Sequence, residues 1–439
     1  MKLISYPQYR ANRGSVLIVI MALVVVLGIA LAAVLSLTMH ERRVLARTSS
    51  WNTALPVAEA GIEDAMSHLR EVHKTLSING NRAVNGWQGS SSSVFLKCNL
   101  TDSRYVVGIS SAKTPVIISV GEAWCPSAGR YIKRTVVVQT IGRGIFNKGL
   151  IARGKITMSG QFSSDSFDPL KPEFSTNGQY DPAKRSDNGD VATLLSTTDA
   201  IDLGGQVKIY GDVATGPTGT VKIGSQASVG TTNWVDGGNL GIQTNHYTKD
   251  MNVSFPIATT PYTNSGALPL LGIVGTTAYK YILEDGVDYR LSTLVLSSSD
   301  KMLVRGKARL VVDQDVSLSG ESFIQINTNS SLELYVKQSA VSLSGSSVVN
   351  KSGNAANFTL HGLPGLTAIN MSGNGTFIGT IYAPQAKLSM SGSGNDSLDF
   401  IGAAIVNEVN GSGNFKFHYD ESLSYNTPQN LVIVSWKEI

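Results

Sequence analysis

The chain of 439 residues is too long for one small domain, and its net charge of +4, with 15% charged side chains, is too small and too dispersed for a nucleic-acid binder. Glycine is abundant (44 residues) and aromatic residues make up 7%, which favours turn-rich β structure over a helical bundle. The only two cysteines, Cys98 and Cys125, have no histidine set beside them and cannot build a closed zinc site.

Met1 to Gly14 is a short polar leader, followed from Val16 to Leu35 by 20 apolar or glycine residues without a charge. That length at 1.5 Å per residue crosses a hydrocarbon core of roughly 30 Å, and only a helix satisfies its own backbone there. The run is longer than a signal-peptide core, and its small-residue junction, Arg13-Gly14-Ser15, lies before it rather than after. This arrangement resembles a type IV prepilin leader. The resemblance implies cleavage between Gly14 and Ser15 by a prepilin peptidase, a leader left in the cytoplasm and a bulk exported from the bacterial inner membrane. The basic residues on the two sides of the run nearly balance, so orientation rests on this resemblance. Downstream, PVAEAGIEDAMSHLR is similar to the recurring segment of PilX-type minor pilins and pseudopilins. The fifth residue after the junction is Val19, where major pilins carry Glu, so the resemblance implies a tip, priming or accessory subunit rather than a repeating shaft subunit.

The helix is expected to continue to about Arg70. Val44, Leu45, Leu55, Val57, Ala58, Ile62, Met66 and Leu69 recur at spacings of three and four, the pattern of a face packed on a globular head, with a kink expected at Pro56. Asn79-Gly80-Asn81 and Asn85-Gly86 mark the exit into loop. Between Val94 and Ile141 the runs VFLKC, YVVGI, VIISVGEAW and YIKRTVVVQTI predict a small antiparallel sheet. Cys98 and Cys125 fall within it. In an exported chain such a pair reads as a disulfide closing a loop of about 28 residues and worth about 3 kcal/mol, the alternative being two buried free thiols.

From Ile145 to Leu423 a phrase repeats: ITMSG at 156, VSLSG at 316 and 341, INMSG at 369 and LSMSG at 388, with weaker copies at 201, 221 and 410. The later copies are spaced as one coil of a β-solenoid, with alternating aliphatic residues turned inward and Gly at a corner that needs φ > 0. The fold class expected is therefore mainly β: a right- or left-handed parallel β-helix preceded by a long N-terminal helix and a small α+β head. GLIARGKITMSG, YGDVATGP, IYAPQAKLSMSGSG and GSGNFKFHYDESL resemble the Ser-Gly-rich β-helix found behind PilX-type N-termini. The expected domains are 1–14 leader, 15–75 membrane and amphipathic helix, 76–144 pilin-like head, 145–425 β-helix and 426–439 C-terminal strand. A stretch from 231 to 289 interrupts the repeat as a surface loop, a helix or an irregular lid. The closing LVIVSWKEI reads as a strand that pairs on the β-helix or the head, held by Leu431, Ile433 and Val434.

Acidic candidates are Asp165 and Asp168, then Glu284, Asp285 and Asp288 in EDGVDYR, and His418, Asp420 and Glu421 in FHYDES. The last group suits an acid/base pair or metal ligands; its simpler reading is a polar turn that ends the last coil and shields an open edge. EDGVDYR lacks the ligand series of a calcium loop and reads as a solvated turn. No acids recur at coil spacing as two-carboxylate glycoside chemistry requires, and no phosphate loop or nucleophile elbow is present. No metal or cofactor is therefore expected. The expectation is a non-enzymatic component of a type IV pilus or secretion pseudopilus, with other pilin subunits, the assembly platform, the prepilin peptidase and the lipid bilayer as partners. The alternative is a membrane-anchored β-helix that binds or cleaves a surface glycan, for which Asp396 and Asp399 would have to converge in a groove.

Overall fold

The computed structural model describes residues 15–439 apart from 74–85, 90–92, 111–114, 264, 352, 393–399 and 427–429. Gly14 of the processing junction, the turn at Asn79-Gly80-Asn81, and both Asp396 and Asp399 lie outside the described residues. Contacts divide the chain into two units, Met1–Gly142 with Gln429–Ile439, and Arg143–Pro428.

In the first unit, one helix, α1, runs from Ser15 to His73 and carries Pro56 inside it. From Val16 to Met39 its large apolar side chains are all exposed, and this helix is long and apolar enough to cross a membrane. Further on, Ala54, Val57, Ala58, Ile62, Ala65, Met66 and Leu69 form one buried stripe, the three-and-four spacing of a helix lying on a sheet. Val44 and Leu45, expected in that stripe, are exposed. Packing starts at Ser50, whose hydroxyl donates to the Trp124 carbonyl at 3.0 Å, one residue before the strand beneath it ends.

That sheet consists of β1 (Gln88–Gly89), β2 (Ser93–Asn99), β3 (Ser103–Ser110), β4 (Val116–Cys125) and β5 (Arg130–Arg143), antiparallel in that order, with the strand Asn430–Glu438 beyond β5. Alternation sends Tyr105, Val107 and Ile109 of β3, Ile117 of β4, and Val136 and Val138 of β5 into the core that takes the helix stripe. Each such aliphatic side chain contributes about 1.5–3 kcal/mol on burial. Helix and sheet approach to backbone distance at Gly121, where a Cβ would lie 2.2 Å from the Ala54 carbonyl oxygen and 2.4 Å from the Ala58 nitrogen.

The expected disulfide is not formed: Cys98 and Cys125 are free thiols. Cys98 in β2 pairs with Tyr105, and Tyr105 with Gly121 in β4, so Cys125 stands two strands across and four residues further along. At about 4.8 Å per strand and 3.3 Å per residue, that separation far exceeds the Cα distance of about 4.4–6.8 Å that a disulfide tolerates. The C-terminal strand joins this unit, its Ile439 amide donating to the Thr135 carbonyl at 3.0 Å and Glu438 pairing with Arg134. Ile433 and Val434 are exposed, so those two side chains do not hold it by burial as expected; edge pairing supplies the bonds.

The second unit is mostly parallel sheet, with an extended apolar interior. Strands pair with the corresponding strand of a neighbouring repeat, and the repeated phrases fall into register. One column runs Val221, Ile201, Ile156, Val409, Leu388, Ile369, Val341, Val316, Leu294. The phrase glycines stack on one another, and Gly160, Gly205, Gly320, Gly345, Gly373 and Gly413 have φ between 65° and 84°, where a Cβ is disfavoured; Gly392, between Gly373 and Gly413, does not take a positive φ. Inside, Phe358, Phe377, Phe400 and Phe417 form a ring ladder with centroids 5.5, 4.8 and 4.5 Å apart.

The order of the repeats differs from their order in the chain. Ile156, in the first phrase, is flanked by Ile201 of the next phrase on one side and by Val409 of the last on the other. The chain builds outward from this first repeat, and then returns. After the short helix Thr232–Asp236 come the short strands Gly241–Ile242 and Tyr247–Thr248, which still pair with earlier repeats, and residues 249–263 then run back along the unit. The Met251 amide donates to the Thr215 carbonyl at 3.1 Å, Tyr382 donates to the Pro256 carbonyl at 2.5 Å, and Tyr262 donates to the Tyr289 carbonyl. A hairpin of Leu270–Val274 and Thr277–Glu284 starts the second set of repeats, which stacks back until Lys416–Asp420 pairs with Ser163–Phe167. The stretch expected as an interruption is thus part repeat, part return segment.

Candidate functional site

The junction between the first, second and last repeats carries the cleft of interest. Three adjacent strands, Lys208–Tyr210, Ser163–Phe167 and Lys416–Asp420, form its floor. Ile209, Ser164 and Phe417 point inward, so by alternation Lys208, Ser163 and Lys416 form one outward row. Two residues earlier lie Gln206, Gln161 and Asn414, with the Gln161 amide donating to Gln206 at 3.3 Å. Two residues later lie Tyr210, Asp165 and His418.

The wall comes from residues 168–188, an excursion that makes the first repeat longer than the others. It is pinned by reciprocal backbone bonds between Ser166 and Ser186 (3.2 and 2.7 Å) and by the Ser164 hydroxyl donating to the Gly189 carbonyl at 2.7 Å. Tyr180 from this segment lies over the His418 ring at 3.8 Å, and its hydroxyl donates to Asp165 Oδ2 at 2.7 Å. His418 Nδ1 faces Asp165 Oδ1 at 2.5 Å, which places the ring proton there. Burial, with the Asp165 charge beside it, pushes the Tyr180 hydroxyl well above the ordinary phenol range. Arg185 lies over the Tyr210 ring at 4.4 Å and pairs with Asp236, which also accepts from the Tyr210 hydroxyl at 2.9 Å. The open cleft has a volume of about 620 Å³.

The structure brings Asp165 and His418 together across 253 positions of sequence and separates the other candidates. Asp168 pairs with Lys171 at 2.9 Å. Asp420 accepts from the Ser422 amide and hydroxyl at 3.0 and 2.6 Å, and burial lifts its carboxyl to about 6. Glu421 accepts from Ser166 at 2.8 Å and Asn188 at 2.9 Å. Among the described residues, no three His, Cys, Asp or Glu side chains gather as a metal-ligand set. The reading of FHYDES as a shield for an open edge is overturned, because its strand is paired on both sides, by Phe400–Gly413 and by Ser163–Phe167. In EDGVDYR, Glu284 pairs with Arg305, Asp285 accepts from the Lys307 amide at 2.7 Å, and Asp288 binds Arg309 through two bonds at 2.7 and 2.8 Å.

Lys208, Lys416, Gln161, Gln206, Tyr180 and Arg185 escaped the sequence reading. A signal was present: after each corner glycine come Gln161-Phe162-Ser163, Gln206-Val207-Lys208 and Asn414-Phe415-Lys416, three copies of amide, apolar, polar. Their adjacency depended on the order of stacking.

Residues 275–426 match a family model described as a domain of unknown function (DUF7305). No curated protein matches the chain by sequence. Among solved structures, the chain is similar to the competence-associated pilin ComZ from Thermus thermophilus, at 10% identity over 88% of this chain and 97% of that one, with a TM-score of 0.19. A likeness at that score carries no argument about fold or role.

Proposed function

We propose that the protein is a pilin-like, membrane-anchored component of a type IV pilus or a secretion pseudopilus, acting as a minor, tip or assembly subunit rather than as an enzyme. The observation that carries this reading is the two-part α1: an apolar, exposed half from Val16, and a second half whose apolar stripe packs on an antiparallel sheet. One continuous helix that leaves lipid at one end and anchors a head at the other can move from the membrane into a bundle of like helices without refolding. The position of Arg13-Gly14-Ser15 before the apolar run supports processing ahead of the helix.

On this reading the second unit is a parallel β-helix, a rigid module presented outside the inner membrane. The register of the repeated phrases and the glycine column support it. The test is the N-terminal residue of the mature protein, determined by mass spectrometry in cells with and without the prepilin peptidase. A peptide starting at Ser15 that disappears in the peptidase mutant is the expected result; an uncut Met1 start in both strains overturns the assignment.

A further inference from the structure

We propose that the rim of the head nearest the apolar half of α1 is a docking surface for anionic phospholipid: the turn between β4 and β5, with Arg42, Arg43, Arg47 and Arg130, rests in the headgroup layer of the bilayer that α1 crosses. This inference rests on the membrane-anchored part of the reading above and not on its pilus part.

Height along α1 places the rim. The exposed apolar side chains that begin at Val16 continue to Leu37 and Met39. One turn further on, the Arg43 carbonyl accepts from the Ser127 hydroxyl of the β4–β5 turn at 3.5 Å. The helix rises about 6 Å from Met39 to Arg43, and the headgroup layer on each side of the hydrocarbon is about 5–7 Å deep. The turn therefore reaches that layer, whereas Ser50, which holds the Trp124 carbonyl, stands about 10 Å further along the helix. Val44 and Leu45, which the helix pattern placed beneath the head, are instead 50% and 67% exposed at the level of the turn. At that depth an apolar side chain meets the boundary of the acyl chains rather than protein.

Charge decides which lipid. Arg42, Arg43, Arg47 and Arg130 are exposed and make no ion pair among the described residues. Arg130 pairs in register with Cys125 at the mouth of the turn. Side chains of a helix lean toward its N-terminus, so Arg43 and Arg47 reach back toward the bilayer. Within the first unit, and among the described residues, Glu41 is the acid at this level. Asp102, whose carbonyl accepts from the Trp124 amide at 2.8 Å, stands at the height of Ser50. Arg104 and Lys133 are held by Glu122, and Arg134 by Glu438, so none of them adds a free charge. Four unpaired guanidinium groups against one carboxylate suit lipid phosphate, which arginine binds through two parallel N–H bonds. The rim is continuous with the apolar stretch of α1, so the bilayer is the surface within its reach.

The full chain is placed in nanodiscs of phosphatidylcholine alone and of phosphatidylcholine mixed with phosphatidylglycerol, and hydrogen exchange is read by mass spectrometry in each. Amides of residues 126–130 should exchange at least about tenfold more slowly in the anionic discs than in the neutral ones, and the gap should close as salt is raised. Arg47→Gln and Arg130→Gln should each undo about fivefold of that slowing, the share of one arginine near an anionic surface. Lys222→Gln, which removes a cation of the second unit paired with Asp202, should undo none of it. The substituted arginines are exposed and unpaired, so folding is not at stake. Equal exchange of 126–130 in the two kinds of disc, or slowing that survives Arg47→Gln and Arg130→Gln together, overturns the proposal and leaves the membrane anchor standing, provided the chain co-elutes with the discs. A chain that elutes free of the discs overturns the anchor itself and the proposal with it.

Discussion

Gly160 stacks on Gly413, near the two ends of the repetitive unit: a Cβ added to Gly160 would lie 2.8 Å from both the amide nitrogen and the carbonyl oxygen of Gly413. The contact joins the first repeat to the last in the interior of the stack, so a fault there loosens the junction between the two sets of repeats. Gly160 also holds φ at +76°. Gly160→Ala should therefore cost about 2–4 kcal/mol in urea unfolding, combining left-handed strain with backbone overlap. Ser159→Ala, the exposed neighbour, should stay within about 0.5 kcal/mol of the parent. Equal stability of the two variants would refute the junction argument.

Gly121 plays the corresponding part beneath the helix, where the Ala54 carbonyl and Ala58 amide leave no room for a side chain. Gly121→Val should lift α1 from the sheet. Hydrogen exchange read by mass spectrometry should show lost protection over residues 54–69, with protection of Arg143–Pro428 unchanged. Gly129→Ala, in an open turn with φ of +61°, should cost only about 1 kcal/mol and leave the helix protected. Undiminished protection of 54–69 in Gly121→Val would count against backbone-close packing.

Asp420 supplies a pH signature. Its folded pKa of about 6 lies above the ordinary 3.8 because burial penalises the charge more than the Ser422 bonds favour it. The folded state thus holds the proton more tightly. The stabilising contribution is complete below about pH 4 and is lost as pH rises through about 6, a swing of roughly 3 kcal/mol. Asp420→Asn keeps the acceptor for Ser422 without the charge. The stability of the variant relative to the parent should rise across that window and level off above it; a difference that stays flat from pH 4 to 7 would show that Asp420 is not the group responsible.

The cysteines give a direct chemical check. Denaturation in iodoacetamide without reductant should add two carbamidomethyl groups per chain, one at Cys98 and one at Cys125. A mass without adducts, and two hydrogens lighter than the reduced chain, would restore the disulfide and require β2 and β4 to be rearranged.

Much of the architecture was legible because it is periodic. The apolar run from Val16, the three-and-four stripe from Ala54 to Leu69, the four strands between Ser93 and Arg143, and the Ser-Gly phrases each carry their structure in local spacing. Glycine at a corner and alternation along a strand are dictated by backbone sterics, and sterics are local. The candidate site was only half visible for the complementary reason. Asp165 and His418 were both noticed, as separate acidic turns, and neither carried any sign of the other.

By itself, then, the sequence determined the membrane-length helix, the antiparallel head strands and the register within each repeat. The tertiary structure alone decided the order of stacking, the free state of Cys98 and Cys125, and the cleft where Lys208, Ser163 and Lys416 stand side by side. The reason is that every repeat offers nearly the same alternation to its neighbours. Alternation fixes which side chains face inward; which repeat lies against which depends on the strand edges left open once the chain has turned back along the unit, and no local pattern encodes that.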